Sequence, residues 1–459
     1  MSDLIEWTES PIENKLSRMD RSESAIRIVR VLHRAGHQAY FAGGCVRDKL
    51  RGAPAKDYDI ATSAKPEEVQ KLFPKTVPVG VQFGVILVME EGVPFEVATF
   101  RTEGGYQDGR RPTKVAFTSV EEDAMRRDFT VNGLYYDIEG DKVIDLVGGQ
   151  RDLDLKLIRT IGDPDARFNE DHLRLLRAIR FAVQLDFEID RQTFHSIVKH
   201  SALIRAVSAE RVRDELSKIL TSGNPARGLR LLDEAGLLKQ ILPEMETMKG
   251  VEQPIQYHPE GDVYIHTLML VEGLKNAPIE LAMGCVLHDV AKPATFQRAP
   301  DRIRFHGHDK IGAEMSREIC KRLAFSNAET DLICALVAEH LRFKDAFQMR
   351  VATLKRFLSL DRFDLHLELH RLDCMASHKN LEAYNFCKAK WEEFQKEPPP
   401  PRRLVTGEDL IALGMRPGPE FSKILRVVED AILEGTVTTR EEGLKLVESQ
   451  FVKREKTES

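Results

Sequence analysis

Residues Tyr40 to Ile60 read YFAGGCVRDKLRGAPAKDYDI. A short apolar run enters paired glycines, Gly43 and Gly44, and a basic, helix-compatible segment containing Arg47 follows. Asp57 and Asp59 then alternate with apolar residues, which predicts both carboxylates on one face of a strand. Like charges held that close repel unless a cation sits between them. Aspartate oxygens favour magnesium, the usual partner of nucleotide phosphates. Glycines let backbone approach a triphosphate closely, with N–H groups at a helix start to receive it. The combination reads as a site for nucleotidyl transfer, whereas an Asp-x-Asp by itself is more often a solvated turn or strand pair.

With 459 residues the chain has room for roughly two to four domains with their own cores. A hydrophobic content of 42% excludes wholesale disorder. The net charge of −6 gives no global attraction to nucleic acid, so RNA binding would rest on local basic clusters. Six cysteines (45, 285, 320, 334, 374 and 387) form no C-x-x-C pair, which predicts reduced thiols rather than a disulfide framework or zinc ribbon. The opening MSDLIEWTESPIENK lacks a signal-peptide pattern and no apolar run reaches spanning length. A soluble, cytoplasmic protein with no membrane partner is expected.

Periodicity divides the chain. Residues 22–35 read as an amphipathic helix, followed by strand-like runs at 38–42, 58–62, 84–89 and 95–101. A helix pattern covers 121–134, and YYDIEGDKVIDL reads as a hairpin turning at Glu139-Gly140. From Asp165 onward the pattern is helical, with Gly and Pro at helix ends. A second change at 253–262 brings in a cluster of histidines, and EPPPP at 397–401 reads as a stiff linker or turn. The expected class is α+β, with a mixed-sheet domain over residues 20–163. All-α segments over 164–252, 253–396 and 397–459 would follow.

Two further segments carry chemistry. In EEDAMRRDFTVNGLYYD (121–137), Arg126, Arg127 and Asp128 are expected on a helix, with Asn132 one turn beyond Asp128. Arginines there can meet triphosphate oxygens bidentately, and Asn132 can reach a ribose hydroxyl. A charged helix face would look the same. In NEDHLRLLRAIRFA (169–182), Asp171 and Arg174 would share a helix face, with Arg177 three residues on. Asp accepts from an exocyclic amine and Arg donates to the neighbouring ring acceptor, a pattern that suits cytosine and adenine. Uracil and guanine would leave the site's polar groups unpaired. An intrahelical salt bridge is the plainer alternative.

Taken in order, GGCVRD, DYD, FEVATFR, EEDAMRRDFT, NEDHLRLLR and SAERVRDELSKIL resemble the class II tRNA nucleotidyltransferases, the family of CCA-adding enzymes and bacterial poly(A) polymerases. The resemblance runs from about Gly43 to Leu220. It implies a polymerase-beta-like head with helical neck, body and tail. It also implies that Asp57 and Asp59 hold catalytic Mg2+, with Gly43, Gly44 and Arg47 in the nucleotide site. Arg127, Asp128 and Asn132 would contact the incoming nucleotide, Asp171 and Arg174 would serve as the template for C and A, and Arg177 would support the triphosphate or the template. Glu96 is a candidate third carboxylate. The implied substrates are CTP, ATP and the tRNA 3′ end, joined by a two-metal in-line displacement. RTEGGYQDGRRPTKV (101–115) reads as a mobile loop, and in the family such a loop argues against a CC-only enzyme. Addition of A alone and poly(A) synthesis stay open. Against the latter, VGVQFGVILVM lacks the basic pattern of bacterial poly(A) polymerases.

His266, His288, Asp289, His308, His340 and Asp373, in that order, resemble the HD metal-dependent phosphohydrolases. The resemblance implies a divalent transition metal on His266, His288, Asp289 and Asp373, with His308 and His340 binding a second metal or a substrate phosphate. Such a domain could clean phosphate-blocked RNA ends, or be a degenerate helical body. tRNA contacts are expected on basic residues of the body and tail, around Arg402, Arg403, Lys423 and Arg426.

Overall fold

The computed structural model describes residues 11–451 apart from 56, 107–108, 110–111, 255, 257–260 and 398–403, with 11–20, 82, 106 and 112–114 described by backbone alone. Contacts divide the chain into two units: Met1–Val251, Asp262–Val286 and Arg317–Thr330 form one, and Glu252–Gly261, Leu287–Ser316 and Asp331–Ser459 the other.

Among the described residues of the first unit, nine strands occur up to Asp145: β1 (Ala39–Ala42), β2 (Asp59–Thr62), β3 (Thr76–Gly80), β4 (Val85–Glu90), β5 (Val93–Thr99), β6 (Arg101–Tyr106), β7 (Pro112–Phe117), β8 (Leu134–Asp137) and β9 (Lys142–Asp145). Seven of them form one mixed sheet in the order β3-β4-β5-β2-β1-β8-β9. β2 and β5 run parallel, while β1 is antiparallel to both β2 and β8. One face of the sheet is covered by α1 (Pro11–Arg34), whose Ala25, Ile28, Val29 and Leu32 are fully buried against Phe41, Ile60, Ile86 and Val97. Their i, i+3, i+4, i+7 spacing is the apolar stripe that makes this helix amphipathic.

Several expectations need correction. β2 starts at Asp59, because its register with β1 ends at Ala42 opposite Asp59, where the chain leaves the sheet at Gly43. Asp57 therefore lies before the strand and not on its face. The helix expected over 121–134 stops early: α3 is Val120–Met125, and a 3-10 turn at Thr130–Asn132 leads into β8. Extended backbone at Phe129, bridged to Thr160, redirects the chain so that β8 can pair with β1. Residues 101–115, expected as loop, belong largely to an antiparallel hairpin with Arg101 opposite Phe117. Its Gly-rich composition hid the pairing, and part of its tip lies outside the described residues. β3 was not anticipated, since its Val77 and Val79 are exposed on an edge strand and give no buried pattern.

The helical part of the first unit contains α4 (Pro164–Glu170), α5 (Arg174–Leu185) and α6 (Ala209–Leu220). Asp171 is not on a helix with Arg174. It ends α4 with extended backbone (φ −137, ψ 105), and its Oδ1 accepts from the Leu173 N–H at 3.1 Å. An aspartate that bonds its own following backbone favours a turn over helix continuation.

The described residues of the second unit are helical with one short hairpin, Phe296–Arg298 against Ile303–Phe305. Phe343, Phe357 and Phe363 are buried in one of its cores. Its tail helices close on Val405, Leu410, Ile424, Val428 and Val447, and Thr406 with Asp409 forms a capping box. Lys423 and Arg426 are exposed on Glu420–Leu433, while Arg402 and Arg403 lie outside the described residues. Among the described residues no helix is long and apolar enough to cross a membrane.

Candidate active site

Gly43 is the pivot of the first unit's site. It follows β1, precedes α2 (Gly44–Leu50), and holds φ 73, ψ −127, a conformation that residues with a Cβ rarely adopt. A Cβ there would stand 3.2 Å from Arg127 Nη1 and 4.0 Å from Asp59 Oδ2. The bare backbone therefore runs between a guanidinium and a carboxylate. A cleft of about 400 Å³ opens here, lined by Gly43, Gly44, Arg47, Asp59, Arg126, Arg127, Asp128, Asn132, Asp171, Arg174, Arg177 and Phe181. Asp57 is not part of its lining; its carboxylate is 83% exposed and 3.6 Å from Arg21.

Asp59 registers this crowding. Desolvation and then the charge of Glu96 push its carboxyl up to about 6, Asp57 adds to the rise, and Arg127 partly offsets it. Glu96 is within electrostatic reach because β5 runs parallel to β2, with Val97 beside Ile60. A carboxylate whose pKa two neighbouring carboxylates raise belongs to a donor set that a divalent cation would relieve.

Arginines line the other side. Arg127 donates from Nε to Tyr135 Oη at 3.0 Å and from Nη2 to Asp123 Oδ2 at 3.2 Å, and Tyr135 donates to the same carboxylate oxygen at 2.6 Å. Asp123 also accepts from Arg126 Nη2 at 2.7 Å. Arg47 donates to Asn132 Oδ1 at 2.7 Å, and Asn132 Nδ2 donates to Asp128 Oδ1 at 3.1 Å. Arg177 Nε completes the chain at 2.9 Å from Asp128 Oδ2. Burial would raise the Asp128 carboxyl, but the Arg177 charge and hydrogen bonds overcome it and bring it down to about 2.

Asp171 and Arg174 reach the same cleft without bonding each other's side chains. Arg174 is buried, giving Nη1 to the Arg167 carbonyl at 3.1 Å and Nη2 to the Arg126 carbonyl at 3.2 Å. Asp171 accepts from Arg211 Nη2 on α6 at 2.9 Å. Sequence reasoning did not single out Arg211, although it sits in SAERVRDELSKIL, nor Asp123 and Tyr135, whose roles depend on folding. The β6–β7 tip touches this turn: Gly109 O accepts from the His172 N–H at 3.1 Å, and a Cβ at Gly109 would clash with the His172 ring.

In the second unit, ligand atoms of Asp289, His308 and His340 lie within 4.8 Å of one another, all buried. His288 and Asp373 likewise approach within 4.8 Å. Although burial opposes ionisation of Asp289, His288 and Lys292 hold it well below the usual carboxylate range, and Lys292 Nζ is 2.7 Å away. Buried imidazoles around an ionised carboxylate form a donor set suited to a divalent transition metal. His266 is buried on helix Val263–Glu272 of the first unit.

A mixed-sheet head, an acidic strand end facing arginines, and a helical body with clustered histidines define a nucleotidyltransferase joined to an HD-type domain. Matches to known families agree: residues 39–159 with the poly A polymerase head domain, 186–249 with the probable RNA and SrmB-binding site of polymerase A, and 260–375 with the HD domain. The Anoxybacillus flavithermus CCA-adding enzyme is 33% identical over 435 residues, 93% of this chain and 96% of that protein. The chain belongs to the CCA-adding enzymes. The Geobacillus thermodenitrificans member is 48% identical over 216 residues, 47% of this chain and 53% of its own length. A crystal structure of the Bacillus stearothermophilus CCA-adding enzyme in complex with CTP superposes with a TM-score of 0.73 at 28% identity, covering 93% of this chain and 97% of that one.

Proposed function

We propose that this chain restores the CCA end of tRNA, adding C from CTP and A from ATP without a nucleic-acid template. The observation that carries the reading is the single cleft in which Asp59, Arg127, Arg177, Asp171 and Arg174 converge behind Gly43. Asp57 and Asp59, with Glu96 beside them, would hold Mg2+, which supplies charge neutralisation and polarisation of the reacting oxygens when bound. The tRNA 3′-hydroxyl attacks the α-phosphorus and pyrophosphate leaves. Arg47, Arg127 and Arg177 hold the triphosphate, and the Gly43–Gly44 backbone lets it approach closely. Asp128 and Asn132 fix the arginines, with Asn132 also within reach of a ribose. Asp171 and Arg174 read the base, with Arg211 and the Arg126 and Arg167 carbonyls fixing their planes. Such positioning is the main protein contribution to phosphoryl transfer.

The functional division into residues 20–163, 164–252, 253–396 and 397–459 accompanies this proposal, as does a cytoplasmic setting. Labelled CTP and ATP offered with tRNAs ending at the discriminator base, after one C and after two, test it. Stepwise C, C and A on the shortest substrate is expected. Incorporation of A alone after CC would make it an A-adding enzyme, and long A tracts on unrelated RNA would favour poly(A) synthesis.

A second activity is favoured by the buried Asp289–His308–His340 cluster: metal-dependent phosphate removal from RNA ends. His288 and Asp373 are proposed as further ligands, and His266 joins them on motif order alone. Phosphate release from 3′-phosphorylated RNA, abolished by Asp289→Ala with tailing retained, is the expected result.

A further inference from the structure

Phe181 lies on α5, one turn beyond Arg177, and is 7% exposed at the wall of the nucleotide cleft. Three guanidiniums meet its ring. The Cζ atoms of Arg47, Arg177 and Arg180 stand 5.5, 5.3 and 4.1 Å from the ring centroid. Phe129 packs edge-on, with centroids 5.8 Å apart and planes at 77°. Each arginine has a carboxylate of its own: Asp48 for Arg47, Asp128 for Arg177 and Glu215 for Arg180. The ring is the group the three share. Their crowding is visible in Arg180, whose pKa is lowered first by burial, with Arg177 and Arg47 adding repulsion against the attraction of Glu215.

We propose that Phe181 is a positioning residue for the nucleotide, its π face gathering Arg47, Arg177 and Arg180 so that Arg47 and Arg177 present their charge to the triphosphate. The inference rests on the nucleotidyltransferase reading above. A ring attracts cations through its quadrupole without cancelling their charge. A fourth carboxylate would neutralise what the triphosphate needs, and an aliphatic side chain would fill the space without orienting the guanidinium planes. The property that matters is therefore ring electron density rather than ring volume.

That distinction can be measured. Phe181 is replaced by phenylalanines bearing one, two and three ring fluorines, which nearly keep the shape while draining the π face, and by Phe181→Leu and Phe181→Tyr. Binding of CTP and of inorganic tripolyphosphate is read by calorimetry on the full chain, alongside KM and kcat for C addition and thermal melting. Both Kd values and KM should rise stepwise with fluorination, reaching about tenfold, while kcat changes less than about twofold. Phe181→Tyr should stay near wild type, and Phe181→Leu should match the trifluoro variant. A flat fluorine series in a protein that binds both ligands would overturn the proposal, and that series decides even where Phe181→Leu folds poorly. Wild type binding tripolyphosphate no better than Arg47→Gln would instead overturn the underlying nucleotide reading.

Discussion

Asp128→Asn removes one charge from the centre of the arginine network while keeping the side chain's shape. Asp128 is 8% exposed and accepts from Arg177, from Asn132 and from the Phe129 N–H at 2.8 Å. Its carboxyl lies at about 2 instead of the model-compound 3.8. A depression of that size favours the ionised native form by roughly 2–3 kcal/mol at neutral pH. The direction follows from linkage. A lowered native pKa contributes fully above 3.8 and is lost as pH falls toward 2. The contribution should drop to about half by pH 3. Asparagine also turns an N–H toward Arg177 or leaves that partly buried cation without its counter-charge, a cost below that of breaking a fully buried ion pair. Calorimetric melting at pH 7 should show the unfolding transition of the first unit lowered by about 4–8 °C. Unfolding compared across pH should show the gap narrowing toward acid. KM for CTP and ATP should rise together, because Arg177 is no longer held. A variant melting with wild type at pH 7, or a gap unchanged between pH 7 and pH 3, would refute the assignment of the pair as a charged anchor.

Three other outcomes follow from the geometry. Gly43→Ala meets a positive φ and places a methyl 3.2 Å from Arg127 Nη1; kcat/KM should fall at least about a hundredfold, roughly 3 kcal/mol of lost positioning, and the melting temperature should fall too, because the strained backbone costs about 1–3 kcal/mol. Arg211→Gln frees Asp171 and should relax base choice, measured as raised UTP incorporation relative to CTP, with total turnover reduced about tenfold or less. His366 is 1% exposed, neither ring nitrogen has a hydrogen-bond partner, and burial lowers its pKa to about 4. A depressed histidine costs stability as pH falls below 6.5, so the gain from His366→Leu should grow by about 2 kcal/mol between pH 8 and pH 5 in urea melts of the full chain.

The sequence alone determined the chemistry and its order along the chain. Gly43, Gly44, Asp59, Arg127, Asp171 and Arg174, which line one cleft, stood out because each belongs to a short, local pattern of residue types. The α1 stripe and the β8–β9 hairpin were legible for the same reason, since periodicity and turn composition are properties of neighbours. Tertiary structure alone decided which of these groups face one another. That Asp59 opens β2 while Asp57 precedes it depends on where β1 stops pairing. Asp171 leaves the helix because its carboxylate bonds the next turn and then Arg211, forty residues away, holds it. Arg126 to Asn132 left their expected helix because β8 had to reach β1. The gathering of three arginines on Phe181 likewise needs α2 and α5 brought together. Local patterns encode which side chains are available. Long-range pairing encodes their distances, and electrostatics of this kind depends on distance.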